Sequence, residues 1–267
     1  MSPLVNKYRN GFQIGLTHIT RHNDPDEVTG IGLAVLRLEP GETYTVTLEN
    51  EMALLLMRGR VAVTVNGHEN VITRTSLFDD QPTCIHASKG NRITLKAEIS
   101  AEFTLYQCNN EKLFSPELYV PAGGKDEHRG KGQVGDTCLR FVRTIFDDTI
   151  SSKNADLVLG EVITMPGKWS SYPPHSHPQP EIYHYRFTDD RGWGHAELGE
   201  DVLKVRPNDT VRIVDDKTHA QVSAPGYGMY YSWVIRHLPD DRYTIPEFEE
   251  QHKWIMDTDA TYWQPKE

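Results

Sequence analysis

Apolar residues in this chain gather in short runs between turn residues, and helical periodicity is scarce. Runs rich in Val, Ile, Thr, Leu and Tyr predict the strands of a β-sandwich or barrel. In the first half they cover residues 31–38, 44–48, 52–57, 61–65, 76–78, 83–86, 92–97 and 102–107. Glu39-Pro40-Gly41-Glu42 supplies a turn after the first, and Asn66-Gly67 is a hairpin signal after the fourth. Residues 122–136, AGGKDEHRGKGQVGD, read as a linker or exposed loop. Strands are expected again at 139–145, 157–165, 181–187, 194–198, 210–214 and 229–235, and the tail 246–254 reads as a short helix.

The halves run in parallel. One reads VLRLEPGE, EMALLLMRG, RTSLFDDQPTCIH; the other GEVITMPGK, EIYHYRFTDDRG, RPNDTVRIVDDKTH. Each is strand, Pro-Gly turn, Glu-led strand, Gly, Arg-led strand, Asp-Asp turn, His. That order predicts an internal duplication. The expected organisation is all-β: a barrel at 1–121, a linker at 122–136, and a second barrel with a tail at 137–267.

Composition narrows the partners. With 38 acidic against 28 basic side chains, the net charge of -10 excludes a nucleic-acid partner, while leaving room for a local cationic pocket. Cys84, Cys108 and Cys138 form no disulfide framework. The N-terminal segment lacks the apolar core of a signal peptide, and the longest apolar run, Met52–Met57, is too short to span a bilayer. The expectation is a cytoplasmic protein with no membrane partner.

The chemistry concentrates at Pro173–Glu181, PPHSHPQPE. His175 and His177, two apart on a strand, share a face, and Ser176 points away. Glu181 opens the next strand and can supply an oxygen to the same ion. His219, 38 residues further on, can return a third nitrogen from an antiparallel neighbour. Three imidazoles and a carboxylate suit a first-row divalent metal such as Zn, Mn, Fe, Co or Ni. The bland alternative is a proline-stiffened surface loop with incidental histidines. In the first half, Glu51 and His86 hold the repeat positions of Glu181 and His219 without the HxH pair, which predicts a polar contact and no complete metal site.

HxH-x3-E followed by a strand-borne His resembles the cupin metal motif. The stretch NADLVLGEVITMPGKWSSYPPHSHPQPEIYHYRF, with VRTI upstream and APGYGMYYSWV downstream, resembles the 5-deoxy-glucuronate isomerase family of inositol catabolism, related to the 5-keto-4-deoxyuronate isomerases. That resemblance implies a bicupin whose second barrel binds a metal, usually zinc, at His175, His177, Glu181 and His219. It also implies an aldose–ketose isomerisation of a deoxy sugar acid. Relatives carry Y-H-P at the last ligand and Y-Y-L-N further on; this chain has Thr218-His219-Ala220 and Tyr230-Tyr231-Ser232-Trp233.

Such a reaction needs a base and a cation for the substrate carboxylate. Glu181, Tyr183 and Tyr185 share one strand face and are the catalytic candidates; His184, of opposite parity, is expected to face outward. Arg143 and Lys168 are candidates for the carboxylate, and Tyr172, with Ser170 and Ser171, for sugar hydroxyls. The partner expected is a small anionic sugar, and the protein is expected to form a homo-oligomer. A sugar-binding cupin without turnover and a metal oxygenase are the alternatives on the same scaffold.

Overall fold

A computed structural model describes residues 2–121, 126–257 and 259–266, so residues 122–125 of the expected linker lie outside the described residues. The first half builds a nine-stranded sheet. Its main path runs Glu117–Tyr119, Cys84–Ala87, Glu51–Val65, Ala101–Cys108, Gly32–Leu38 and Gly15–Thr20. The uninterrupted apolar run Met52–Met57 has a simple cause. Met52, Leu54 and Leu56 fill the interior of this barrel. Ala53, Leu55 and Met57 point the other way, onto Leu157, Leu159, Ile182 and Val234 of the second half. A strand buried on both faces has no polar alternation to keep.

The second half folds as a seven-stranded sheet facing a five-stranded one. The first runs Leu4–Val5, Thr210–Ile213, Glu181–Phe187, Met229–Arg236, Leu157–Thr164, Arg140–Phe146 and Glu127–Arg129. The second runs Asp201–Val205, Gly194–Leu198, His219–Ser223, Trp169–Ser176 and Glu247–Phe248. Between them lie Val142, Val162, Tyr183, Tyr185, Val211 and Tyr231. The two barrels therefore stack back to back across one shared apolar layer. A buried ion pair crosses that layer, Arg74 to Glu161 at 2.7 and 2.8 Å, with the Tyr230 hydroxyl donating to the same carboxylate at 2.6 Å.

Several elements differ from the expectation. Residues 52–57 and 61–65 are one bent strand, Glu51–Val65, because Gly59 takes φ 130° where a Cβ would lie 2.6 Å from that of Ala101. Asn66 and Gly67, at φ 48° and 90°, form the left-handed turn the dipeptide suits, and it leads into a strand, His68–Arg74, that was not expected. The expected strand 76–78 is absent, and residues 77–79 form a turn. Trp169–Ser176 is a strand despite its two prolines, which concealed it. The tail is a short strand, Glu247–Phe248, and a 3-10 helix, Glu250–Met256. Glu127–Arg129, inside the expected linker, is an edge strand on Arg140–Val142. Leu4–Val5 pairs with Thr210–Val211, so the start of the chain adds a strand to the second barrel. No described helix is long and apolar enough to cross a membrane.

Candidate metal centre and active site

The register of two strands places His175 directly opposite His219. Glu181 opens the facing strand with its side chain turned into the barrel, and His177, Glu181 and His219 are all buried. Their ligand atoms lie within 4.8 Å of one another. His177 Nε2 is 3.2 Å from Glu181 Oε2, and His219 Nε2 is 3.4 Å from the same oxygen. His175 stands beside this trio, its ring centroid 4.3 Å from that of His219, but outside the cluster of three.

Backbone carbonyls orient each ring. Nδ1 of His175, His177 and His219 donates to Pro173 O at 3.3 Å, Gln179 O at 2.9 Å and Lys217 O at 3.0 Å. A carbonyl only accepts, so Nδ1 carries a proton in each ring, and in that tautomer of the imidazole Nε2 is bare and turned inward. Two such nitrogens then face a carboxylate oxygen, acceptor against acceptor, an arrangement that calls for a cation between them. His219 Nε2 is fully buried and has no hydrogen-bond partner among the described residues. Burial, reinforced by His219, lowers the His175 pKa to about 3 and keeps that ring neutral. The donor set and the orphaned nitrogen fit a divalent metal.

Beside the cluster opens a cavity of about 820 Å³. His175, His177, Glu181 and Tyr183 line it, with Ser171, Trp233, Arg140 and Arg129. Ser171, in left-handed backbone at φ 50°, sets its hydroxyl 3.3 Å from that of Tyr183 and 2.9 Å from that of Tyr231. Burial and the nearby Glu181 charge raise the Tyr183 pKa well above its usual value, so the phenol keeps its proton. Along another wall runs Tyr243–Phe248. Tyr243 packs edge-on to His177 at 5.0 Å, and Phe248 pairs in register with His175.

Other expected site residues lie elsewhere. Tyr185 is in the core, donating to Gln221 Oε1 at 2.6 Å, and does not line the cavity. Tyr172 packs against Trp169 and His252, off the cavity wall. Lys168 sits in the turn after Gly167 and does not reach the cavity either. Arg143 is corrected most sharply. On the strand Arg140–Phe146, residues Arg140, Val142 and Thr144 line the cavity, so Arg143 points to the opposite side. There it is buried, ion-paired to Asp126 at 2.7 Å and donating to the carbonyls of Leu77, Phe78 and Asp80. His184 does turn away from the barrel interior, but into the inter-barrel layer beside Phe12 and not into solvent.

Residues 4–255 match the KduI/IolB family. The chain belongs to that family. A 5-deoxy-glucuronate isomerase of Halalkalibacterium halodurans is 30% identical over 223 residues, covering 77% of this chain and 81% of the relative. Among solved structures, an IolB-like protein from Salmonella typhimurium superposes with a TM-score of 0.78 at 24% identity, covering 92% of this chain and 97% of that one. A cupin 2 conserved barrel domain protein from Leptotrichia buccalis aligns with a TM-score of 0.52 at 12% identity, over 87% of this chain and 95% of the other. The fold of this KduI/IolB member is thus a bicupin, and its cavity and histidine–glutamate cluster both lie in the second barrel.

Proposed function

We propose that this KduI/IolB protein is a metal-dependent aldose–ketose isomerase that converts 5-deoxy-glucuronate to 2-deoxy-5-keto-gluconate. One observation carries the reading: two inward-facing imidazole nitrogens and a carboxylate converge, buried, at the wall of a sugar-sized cavity. Family membership and the named relative support the choice of reaction and substrate. His177, Glu181 and His219 would hold the metal, with His175 the fourth donor beside them, and zinc is the first choice ahead of Mn or Fe. An ion held there would supply Lewis acidity to a carbonyl oxygen of the sugar.

The chain's own residues supply the rest. Backbone carbonyls lock the imidazole rings, so the ligand nitrogens need no reorganisation. Tyr183 and Ser171 present hydroxyls at the cavity wall and hydrogen-bond the sugar oxygens. Tyr183 acts as a donor, since its phenol stays protonated. The Tyr243–Phe248 segment shields one side of the site from water. The reading places the enzyme in the cytoplasm, in keeping with three buried, unpaired cysteines. Elemental analysis of the purified protein, followed by NMR of 5-deoxy-glucuronate with and without chelator, tests it. Conversion that stops on chelation is expected; an unchanged spectrum with metal fully loaded overturns it.

A further inference from the structure

We propose that Arg140, with Arg129 beside it, forms a carboxylate subsite at the cavity wall that selects sugar acids over neutral sugars. The identity of the sugar acid rests on the isomerase reading above; the subsite itself rests on the arrangement of charge around these two side chains.

Arg129 and Arg140 are direct cross-strand partners on adjacent antiparallel strands, and both line the cavity. Like charges directly opposite each other destabilise a strand pair. Only one of the two is neutralised. Arg129 is held by Glu127 in a two-pronged contact at 2.9 and 3.0 Å. Arg140 is buried, at 9% exposure, and forms no ion pair among the described residues. Of its five N–H donors, one is used, Nη1 to Cys138 O at 3.0 Å. Apart from Glu181, the acids on the cavity wall are Asp147 and Glu247, and neither pairs with Arg140. A guanidinium kept mostly dry, without a direct ion pair among the described residues and opposite a second guanidinium, is unfavourable without an anion.

The backbone makes room for this arrangement. Gly130 takes φ 75°, and a Cβ there would collide with the Cys138 carbonyl and lie 3.0 Å from Arg140 Nη1. The free edge of a planar guanidinium suits a carboxylate, which it binds through two parallel hydrogen bonds. The metal-ligand cluster opens on the same cavity. A uronate has the two ends this layout asks for, a carboxylate for Arg140 and a carbonyl for the metal. A neutral aldose of equal length would leave Arg140 buried and unsatisfied, which is a strong basis for rejection.

Calorimetric titration of the metal-loaded protein with gluconate, an inert sugar carboxylate, and with glucitol, its neutral counterpart, tests the subsite. Wild type is expected to prefer gluconate. Arg140→Gln should weaken gluconate by about 30-fold or more and leave glucitol unchanged. Arg140→Lys keeps the charge and loses the fork, and should fall between the two; it carries the test if Arg140→Gln melts early. A folded variant that binds gluconate as wild type does overturns the proposal. The two readings separate cleanly. Turnover of 5-deoxy-glucuronate with an unchanged KM in Arg140→Gln removes the subsite and keeps the isomerase. No turnover by wild type, with Arg140-dependent gluconate binding, keeps the subsite and removes the isomerase.

Discussion

Glu51 with His86 and Glu181 with His219 occupy matching places in the two barrels, yet the protein treats them in opposite ways. In the first barrel His86 Nε2 meets Glu51 Oε1 at 2.8 Å, and the protein fills every remaining position around the carboxylate. Asn110 donates at 2.6 Å, and the amides of Asp156 and Leu157 at 2.8 and 2.9 Å. The His86 ring stacks on Phe146, centroids 4.0 Å apart. Because Asp156 and Leu157 open a strand of the other barrel, Glu51 serves as a clamp between the two. In the second barrel the same residue types keep a nitrogen without a partner and a cavity alongside. Residue identity does not decide between structure and chemistry. What decides is whether the protein satisfies the polar atoms itself or leaves that to a ligand.

The sharpest way to break this contrast is at the second barrel. His219→Ala or Glu181→Gln should strip the metal and lower kcat/KM by about a thousandfold. Elemental analysis is the check, and full metal occupancy in either variant would remove the ligand assignment. His177→Ala should likewise lose metal while the first barrel stays folded. The mirror experiment, Glu51→Gln, should leave metal content intact and destabilise the fold by about 3 kcal/mol, read from urea unfolding, because it breaks a buried clamp. A metal-depleted Glu51→Gln protein would contradict the division of labour.

Acid titration refines the same pair. Burial would raise the Glu51 carboxyl, but His86, Asn110 and the Asp156 amide together hold it below its usual range. Its folded pKa is therefore lower than that of the unfolded chain. The carboxylate then stabilises the fold above the ordinary carboxylate range, and that contribution fades as pH drops through the range towards the folded value. Stability plotted against pH should fall less steeply on the acid side in Glu51→Gln than in wild type; identical slopes would exclude Glu51 as a source of acid sensitivity. The smallest effect is expected at Tyr185→Phe. It loses one core hydrogen bond to Gln221, about 1 kcal/mol of stability, and leaves kcat unchanged. A large loss of kcat would return Tyr185 to the catalytic group.

Period-two alternation made Glu181–Phe187 readable, since Glu181, Tyr183 and Tyr185 do share the interior face. The HxH-x3-E spacing likewise pointed to the histidine–glutamate cluster, because residues two apart on a strand and four apart across a turn are brought together by short-range geometry. Arg140 escaped because it differs from Arg143 only in parity, and parity has meaning only once one neighbour is known to face inward. Val142 is that neighbour, and only the packed barrel identifies it. The Tyr243–Phe248 wall carries no periodicity at all. Its place comes from one short pairing, His175 to Phe248, between segments more than seventy residues apart.

The pairing of Leu4–Val5 with Thr210–Val211, backed by the two-pronged contact of Arg9 with Asp209, has a consequence for biosynthesis. A ribosome releases this edge strand early and its partner some two hundred residues later. Until then the strand lacks its partner, and the second barrel cannot complete its sheet edge without reaching back for it. The order of synthesis thus couples completion of the second barrel to a segment made before any of that barrel's other strands exist.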